Sequence, residues 1–466
     1  MKFTKFGKAL LMSALSAGVV LSFTSCVQSY TVGFLYVTGT VTAQSGGNGI
    51  ISGFKVDHNT GKLTNINGLP ISSGGANPVR AALITGSKFL YVLNRGANKE
   101  GNSDCTTNDP CQNSNIVEFA VGGNGILTQQ ETFFTQGINP FRIIADPSGN
   151  FLYVLEHDTI GADGINSAST TNPNQNCALA LGASVTACGD ITAFTINSAT
   201  GRLQLIVDAQ VTASNGAALP YFPVPANSVD FVESGGFFLT MTAASQPDSY
   251  PYTGGSSIFP YTFNSGNGQL TINQNSSQQL GIGQGTAIVT GSGVVYVLDN
   301  ETVTIGSGSG ETFPAGSYPS QILPYTVGTN GALQAEPGGI VPDDATLANP
   351  IYLLVESKGK FVYVLNQGNN TQGANAQSGI AGYFLTTTPA YQLSYIAGEP
   401  FGTGAGPQCL VEDPSDQFIY SADFNDSSIT GRVVDPNSGV LNNLRVTNTY
   451  TLQGPATWCV MDGRTS

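Results

Sequence analysis

The chain has 466 residues, with 16 Lys or Arg, 30 Asp or Glu and two His, a net charge of −14. Cations this scarce exclude a nucleic-acid partner, because neutralising phosphates takes clustered Lys and Arg. Charged residues make up only 10% of the chain, beside 58 Gly, 24 Pro, 18 Tyr and 24 Phe. That composition excludes charged heptad coiled coils and extended disorder, and it leaves a large, turn-rich all-β protein.

In chain order, residues 1–25 read as a leader. Lys2, Lys5 and Lys8 precede an uncharged apolar stretch from Ala9 to Phe23. That stretch is short for a spanning helix, which needs ~20 residues. Phe23-Thr24-Ser25-Cys26 resembles a bacterial lipobox, which makes Cys26 the lipidated first residue of the mature protein. An ordinary secretory signal with Cys26 incidental is the alternative. Residues 26–466 are then one extracytoplasmic domain, a monomer that meets the membrane only through its lipid.

An apolar strand recurs along that domain: FLYVTG at 34–39, FLYVLN at 89–94, FLYVLE at 151–156, FFLTMT at 237–242, VVYVLD at 294–299, FVYVLN at 361–366 and FIYSAD at 418–423. Pro78, Pro140, Pro350 and Pro407 each stand 13 residues before the tyrosine of their repeat. The apolar segment between them, as in FRIIADPSGN, ends in a tight turn and forms a preceding strand. A third strand follows each tyrosine strand (IISGFKV, NIVEFAV, DITAFTI, SIFPYTF, QILPYTV, GIAGYFL, SITGRVV), then a turn and a fourth. Four antiparallel strands repeated seven times predict a seven-bladed β-propeller. No first strand precedes FLYVTG, whereas GPATWCVMDG at 454–463 is an orphan first strand. The C-terminal strand is therefore expected to complete blade one and close the ring, which removes unpaired edges.

Lipid on Cys26 leaves six cysteines for an oxidising compartment. Cys105 with Cys111 and Cys177 with Cys188 are close in sequence, and the repeat places Cys409 and Cys459 on neighbouring inner strands. This pairing is one of fifteen that six cysteines permit.

With these residues in view, the chain resembles the seven-bladed β-propeller lactonase family. That family includes bacterial cytosolic 6-phosphogluconolactonases and fungal carboxymuconate lactonising enzymes. Its WD40-like repeat is named for a Tyr-Val-Thr-Asn strand, here Tyr-Val-Leu-Asn at 91–94 and 363–366. The resemblance implies lactone hydrolysis by His, Arg and Glu at the channel mouth. The family's Pro-Arg-His is nearest to Pro407-Gln408-Cys409, or by blade order to Gly283-Gln284-Gly285, and Asn227 stands at another family histidine.

One face of the ring gathers the starts of first strands and the ends of tyrosine strands. It is expected to carry Arg80, Arg142, Asn94, Glu156, Thr242, Asp299, Asn366 and Asp423, with insertions at 97–114, 158–189 and 300–319. Loops on one end of a rigid scaffold commonly carry function. Glu156 or His157 is the candidate base, and Arg80 with Arg142 the candidate holders of a carboxylate or oxyanion. The alternative is that these acids and amides cap strand ends and pair with the arginines. Asn94, Glu156, Asp299, Asn366 and Asp423 also offer an oxygen-rich ring to a ligand or to Ca²⁺, although their spacing is not specific to a metal. His58 reads as a solvated turn residue. Two functions follow: a hydrolase for sugar lactones or acids, or a non-catalytic propeller binding an envelope glycan, peptide or protein.

Overall fold

A tyrosine that recurs with fixed neighbours has a fixed job, and the computed structural model shows what it is. The structure describes residues 30–41, 48–84, 88–98, 111–243, 255–272, 278–307, 313–336, 339–368, 377–387 and 390–463. The leader, Cys26 and Cys105 lie outside them, and so does the expected Cys105–Cys111 pairing. Each Tyr-centred segment is the second strand of a small antiparallel sheet, and seven such sheets make a propeller. The first strands are Pro78–Leu83, Ile138–Ala145, Ser228–Ser234, Gly285–Gly291, Pro350–Val355, Pro407–Glu412 and Ala456–Asp462. They serve blades two to seven and then blade one, and all seven line the axis.

Closure is as expected from the sequence. Ala456–Asp462 pairs with Thr31–Gly39, bringing Trp458 opposite Thr38 and Val460 opposite Tyr36. Cys409 and Cys459 form a disulfide between the inner strands of blades seven and one, and Cys177 bonds Cys188. These bonds fit a compartment outside the cytoplasm. Among the described residues no helix is long and apolar enough to cross a membrane. The one described helix is Gln175–Leu181, in the blade-three insertion, where the Asn174 side chain accepts from the Asn176 amide.

The Phe-x-Tyr pattern is an inter-blade latch. Tyr36, Tyr91, Tyr153, Tyr363 and Tyr420 donate their hydroxyls to the carbonyls of Gly125, Gly201, Gly268, Gly439 and Gly61, each in the third-to-fourth-strand turn of the next blade. Each of these glycines has positive φ, between 66° and 83°. A Cβ on any of them would strike the phenylalanine two residues before its tyrosine at 2.5–2.6 Å. The turn therefore needs glycine both for its backbone and for this contact.

The outer edge differs from a plain four-stranded blade. In blades one, three, four, five and seven the fourth strand pairs with only part of the third, and the connector to the next blade pairs with the rest. In blade three, Leu203–Ile206 and Phe222–Val224 divide Gly189–Ile196 in this way.

Candidate functional site

The inner strands begin alike. Asn77, Asn139 and Asn349 have φ of 53°, 57° and 58°, each just before a proline, and Gly406 before Pro407 has φ 64°. A register shift follows within the first residues of each inner strand. Such a bulge re-aims the next side chain. The residue just after that shift, two places beyond Pro78, Pro140, Ser228, Pro350 or Ala456, then belongs to one level of the axis. Arg80, Arg142, Asp230, Tyr352 and Trp458 take that place in blades two, three, four, six and one.

These side chains meet. Arg142 Nε donates to Asp230 Oδ1 at 3.0 Å, and Asp230 Oδ2 accepts from the Ile288 amide at 3.2 Å. The Arg80 guanidinium lies over the Trp458 ring, 3.7 Å from its centroid. Tyr352 meets that indole edge-on at 5.4 Å. Burial lowers the Arg80 pKa to about 9, with Arg142 adding to the shift and Asp230 opposing it. Two guanidiniums thus lie near one carboxylate, which bonds only Arg142 of the two.

Above this level, toward the loops, His157 stacks on Phe141 with ring centroids 3.7 Å apart, and the Arg142 guanidinium carbon is 5.4 Å from the same phenyl ring. Burial, together with the charges of Arg95 and Arg142, lowers His157 to about 4. The imidazole is consequently neutral at pH 7, and a weaker base than a free imidazole. Beside it Asn139 Nδ2 donates to Asp158 Oδ2 at 3.0 Å. Across the mouth, Val79, Gln367, Gln408, Phe424, Asn425 and Thr457 line a recess of about 300 Å³.

The arrangement corrects several expectations. Arg142 lies near His157 through Phe141 and near Arg80 at the axis, but Arg80 and His157 do not meet. Glu156 does not join them. Successive side chains of a strand face opposite ways, so Glu156 turns into the seam with blade two while His157 turns to the mouth. Its carboxylate there accepts from the Gly137 amide at 2.9 Å and from Thr192 Oγ1 at 2.6 Å. Burial raises its pKa, and raises that of its cross-strand neighbour Asp190 further because the two carboxyls meet.

Asn94, Asp299, Asn366 and Asp423 hold the equivalent place in other blades, all at 0% exposure. Asn94 is bonded to Ser73 and Asn115, Asp299 to the Gln284 amide and Gln321, and Asp423 to Ser421, Ser428 and Thr430. Thr242 accepts from the Ser257 amide. Each belongs to a different seam, so they form no common ring. Among the described residues no three His, Cys, Asp or Glu gather to hold a metal ion. Of the family-motif positions, Gln408 donates to Gly406 O and borders the recess, and Asn227 bonds Ala243 O. His58 is not simply solvated: its ring stacks on Tyr30 at 4.4 Å.

Sequence reasoning missed Asp230, Trp458 and Arg95. The first two follow the register shift of their strands just as Arg80 and Arg142 do, and that position was their signal. Arg95 follows directly after its tyrosine strand and carried no repeated signal.

The fold and axis define a class: a closed seven-bladed propeller with a cationic, aromatic constriction below a loop-rimmed mouth. Comparison then shows what the chain is similar to. A family model described as lactonase, 7-bladed beta-propeller matches residues 47–163, so the resemblance read from the strand repeats is borne out. The chain is similar in structure to a periplasmic gluconolactonase of Pseudomonas aeruginosa, at 14% identity and TM-score 0.58, covering 92% of this chain and 99% of that one. It is also similar to a candidate 6-phosphogluconolactonase of Bacteroides fragilis, at 14% identity and TM-score 0.56, covering 92% and 98%. A hypothetical selenium-binding protein of Sulfolobus tokodaii shares the fold at 10% identity and TM-score 0.57, covering 94% and 95%. At these identities the structural likeness concerns the fold alone. No curated protein matches the chain in sequence.

Proposed function

We propose that this protein is an envelope lipoprotein, anchored through Cys26, that binds sugar lactones at the looped mouth and opens them with water. The observation that carries this reading is the neutral His157, held on Phe141 between the charges of Arg95 and Arg142. His157 takes a proton from water as the water oxygen attacks the lactone carbonyl. Arg142 and Arg95 offset the charge that develops on the carbonyl oxygen. When the ring C–O bond breaks, the imidazolium returns its proton to the departing alkoxide. The product is a hydroxy acid whose carboxylate lies beside the same guanidiniums. The lactonase-type sequence match and the gluconolactonase neighbour support the choice of a lactone.

The test is hydrolysis of D-gluconolactone by the purified mature protein, corrected for the spontaneous rate. His157→Gln is expected to lower kcat by about 100-fold or more. Glu156→Gln, in the blade seam, should leave kcat/KM close to wild type. Equal rates for wild type and His157→Gln would end the proposal, and so would wild-type protein no faster than buffer.

A further inference from the structure

Below the Arg80–Trp458 level, on the side away from the loops, the axis opens into a chamber of about 610 Å³. It extends to the far ends of the inner strands, at Leu83, Ala145, Thr290 and Glu412. Apolar side chains, among them Ile143, Val289, Leu354, Val411, Val460 and Met461, are spaced around its wall, with polar groups at Thr290, Glu412 and the Arg80 level. Such a volume lies within the range of small-molecule sites, which are mostly apolar with a few polar groups fixing orientation.

The orienting group here is Arg80, at the closed end. Its side chain makes no hydrogen bond or ion pair with any described residue, although its guanidinium rests on Trp458. Stacking uses the face of a guanidinium and leaves its five in-plane N–H donors available. Asp230, the nearby carboxylate, is engaged by Arg142 and the Ile288 amide. One positive charge of the axial cluster therefore has no carboxylate bonded to it, at the end of the shaft. These donors border the chamber, and a carboxylate entering it satisfies a guanidinium with two parallel bonds.

We propose that the lower chamber binds an amphiphilic monocarboxylate, its carboxylate on Arg80 and its hydrocarbon chain along the apolar shaft. An acyl chain can lie along the aliphatic side chains between Arg80 and the open end without leaving a polar group unpaired. Glu412 at the open end does not repel such a ligand at neutral pH, because burial raises its pKa to about 8 and keeps it largely protonated. The chamber lies on the opposite side of the constriction from His157, so this site stands or falls independently of lactone hydrolysis.

Calorimetric titration of the mature protein with sodium octanoate, sodium acetate and octan-1-ol tests it. Octanoate is expected to bind saturably and at least about tenfold more tightly than either of the others, since only it uses both head and shaft. Arg80→Gln should abolish the preference of octanoate over octanol, and Leu354→Trp, which fills the shaft but keeps the arginine, should abolish octanoate binding. Octanoate binding no tighter than acetate or octanol would overturn the proposal. So would wild-type affinity for octanoate in Leu354→Trp, a result that decides the matter even if Arg80→Gln fails to fold.

Discussion

Tyr153 illustrates how one residue can do two structural jobs. Its ring is fully buried among Phe238 and Phe263 of blade four, and its hydroxyl ends on the Gly268 carbonyl of the same blade. Tyr153→Phe keeps the packing and removes only the bond, so it should cost about 1 kcal/mol in equilibrium denaturation. A loss near zero would mean that the hydroxyl contributes no latch. Blade four carries Leu239 at this position, and its seam with blade five keeps the phenylalanine–glycine contact, Phe237 against Gly331, without a tyrosine hydroxyl. The repeat was legible at this scale because Phe and Tyr are large and recur at fixed spacing. The roles of Glu156 and His157 were less legible. Both end the same strand, and chemistry alone favours the carboxylate as a base. Strand alternation decides otherwise: Leu152, Val154 and Glu156 share the blade-two side, while Tyr153 and His157 share the other.

At the scale of the strand, the inner edge of each blade combines a predictable position with an unpredictable aim. The prolines 13 residues before the tyrosines located the strands. What spacing could not convey was the left-handed Asn before each of three prolines and the register shift after it, which turn Arg80 and Arg142 toward the axis. The same strands carry the Cys409–Cys459 disulfide, which was foreseeable once the last segment was assigned to blade one. It spans a sequence separation of 50 residues. By loop-closure entropy it should contribute about 4 kcal/mol. The double variant Cys409→Ser/Cys459→Ser is therefore expected to denature at markedly lower denaturant concentration while retaining its β-sheet circular dichroism. An unchanged midpoint would show that the pairing of the Ala456–Asp462 and Thr31–Gly39 strands closes the ring unaided.

For the whole molecule, buried acids set the response to pH. Burial raises Asp299, Asp343 and Asp423 to about 6, Glu118 to about 7 and Glu399 and Glu412 to about 8. Unfolded carboxyls titrate near 4. Between those values the folded state holds more protons, so stability is complete below about pH 4 and is lost as pH rises toward 8. His157 works in the opposite direction, losing stability as pH falls from about 6.5 to about 4. Six carboxyls outweigh one imidazole, and the net charge of −14 adds repulsion at higher pH. The melting temperature should fall steadily from pH 5.5 to pH 8.5. A rise over that interval would mean that these acids are not held protonated by the fold.

Ring closure also has a consequence for biosynthesis. Trp458, the aromatic partner of Arg80, comes from the C-terminal strand of the described residues, which pairs with the most N-terminal one, Thr31–Gly39. A nascent or truncated chain ending before residue 455 would lack the indole, the Cys459 thiol and the partner for Thr31–Gly39 together. Synthesis of the Ala456–Asp462 strand therefore delivers the indole, the thiol and the ring closure in one step.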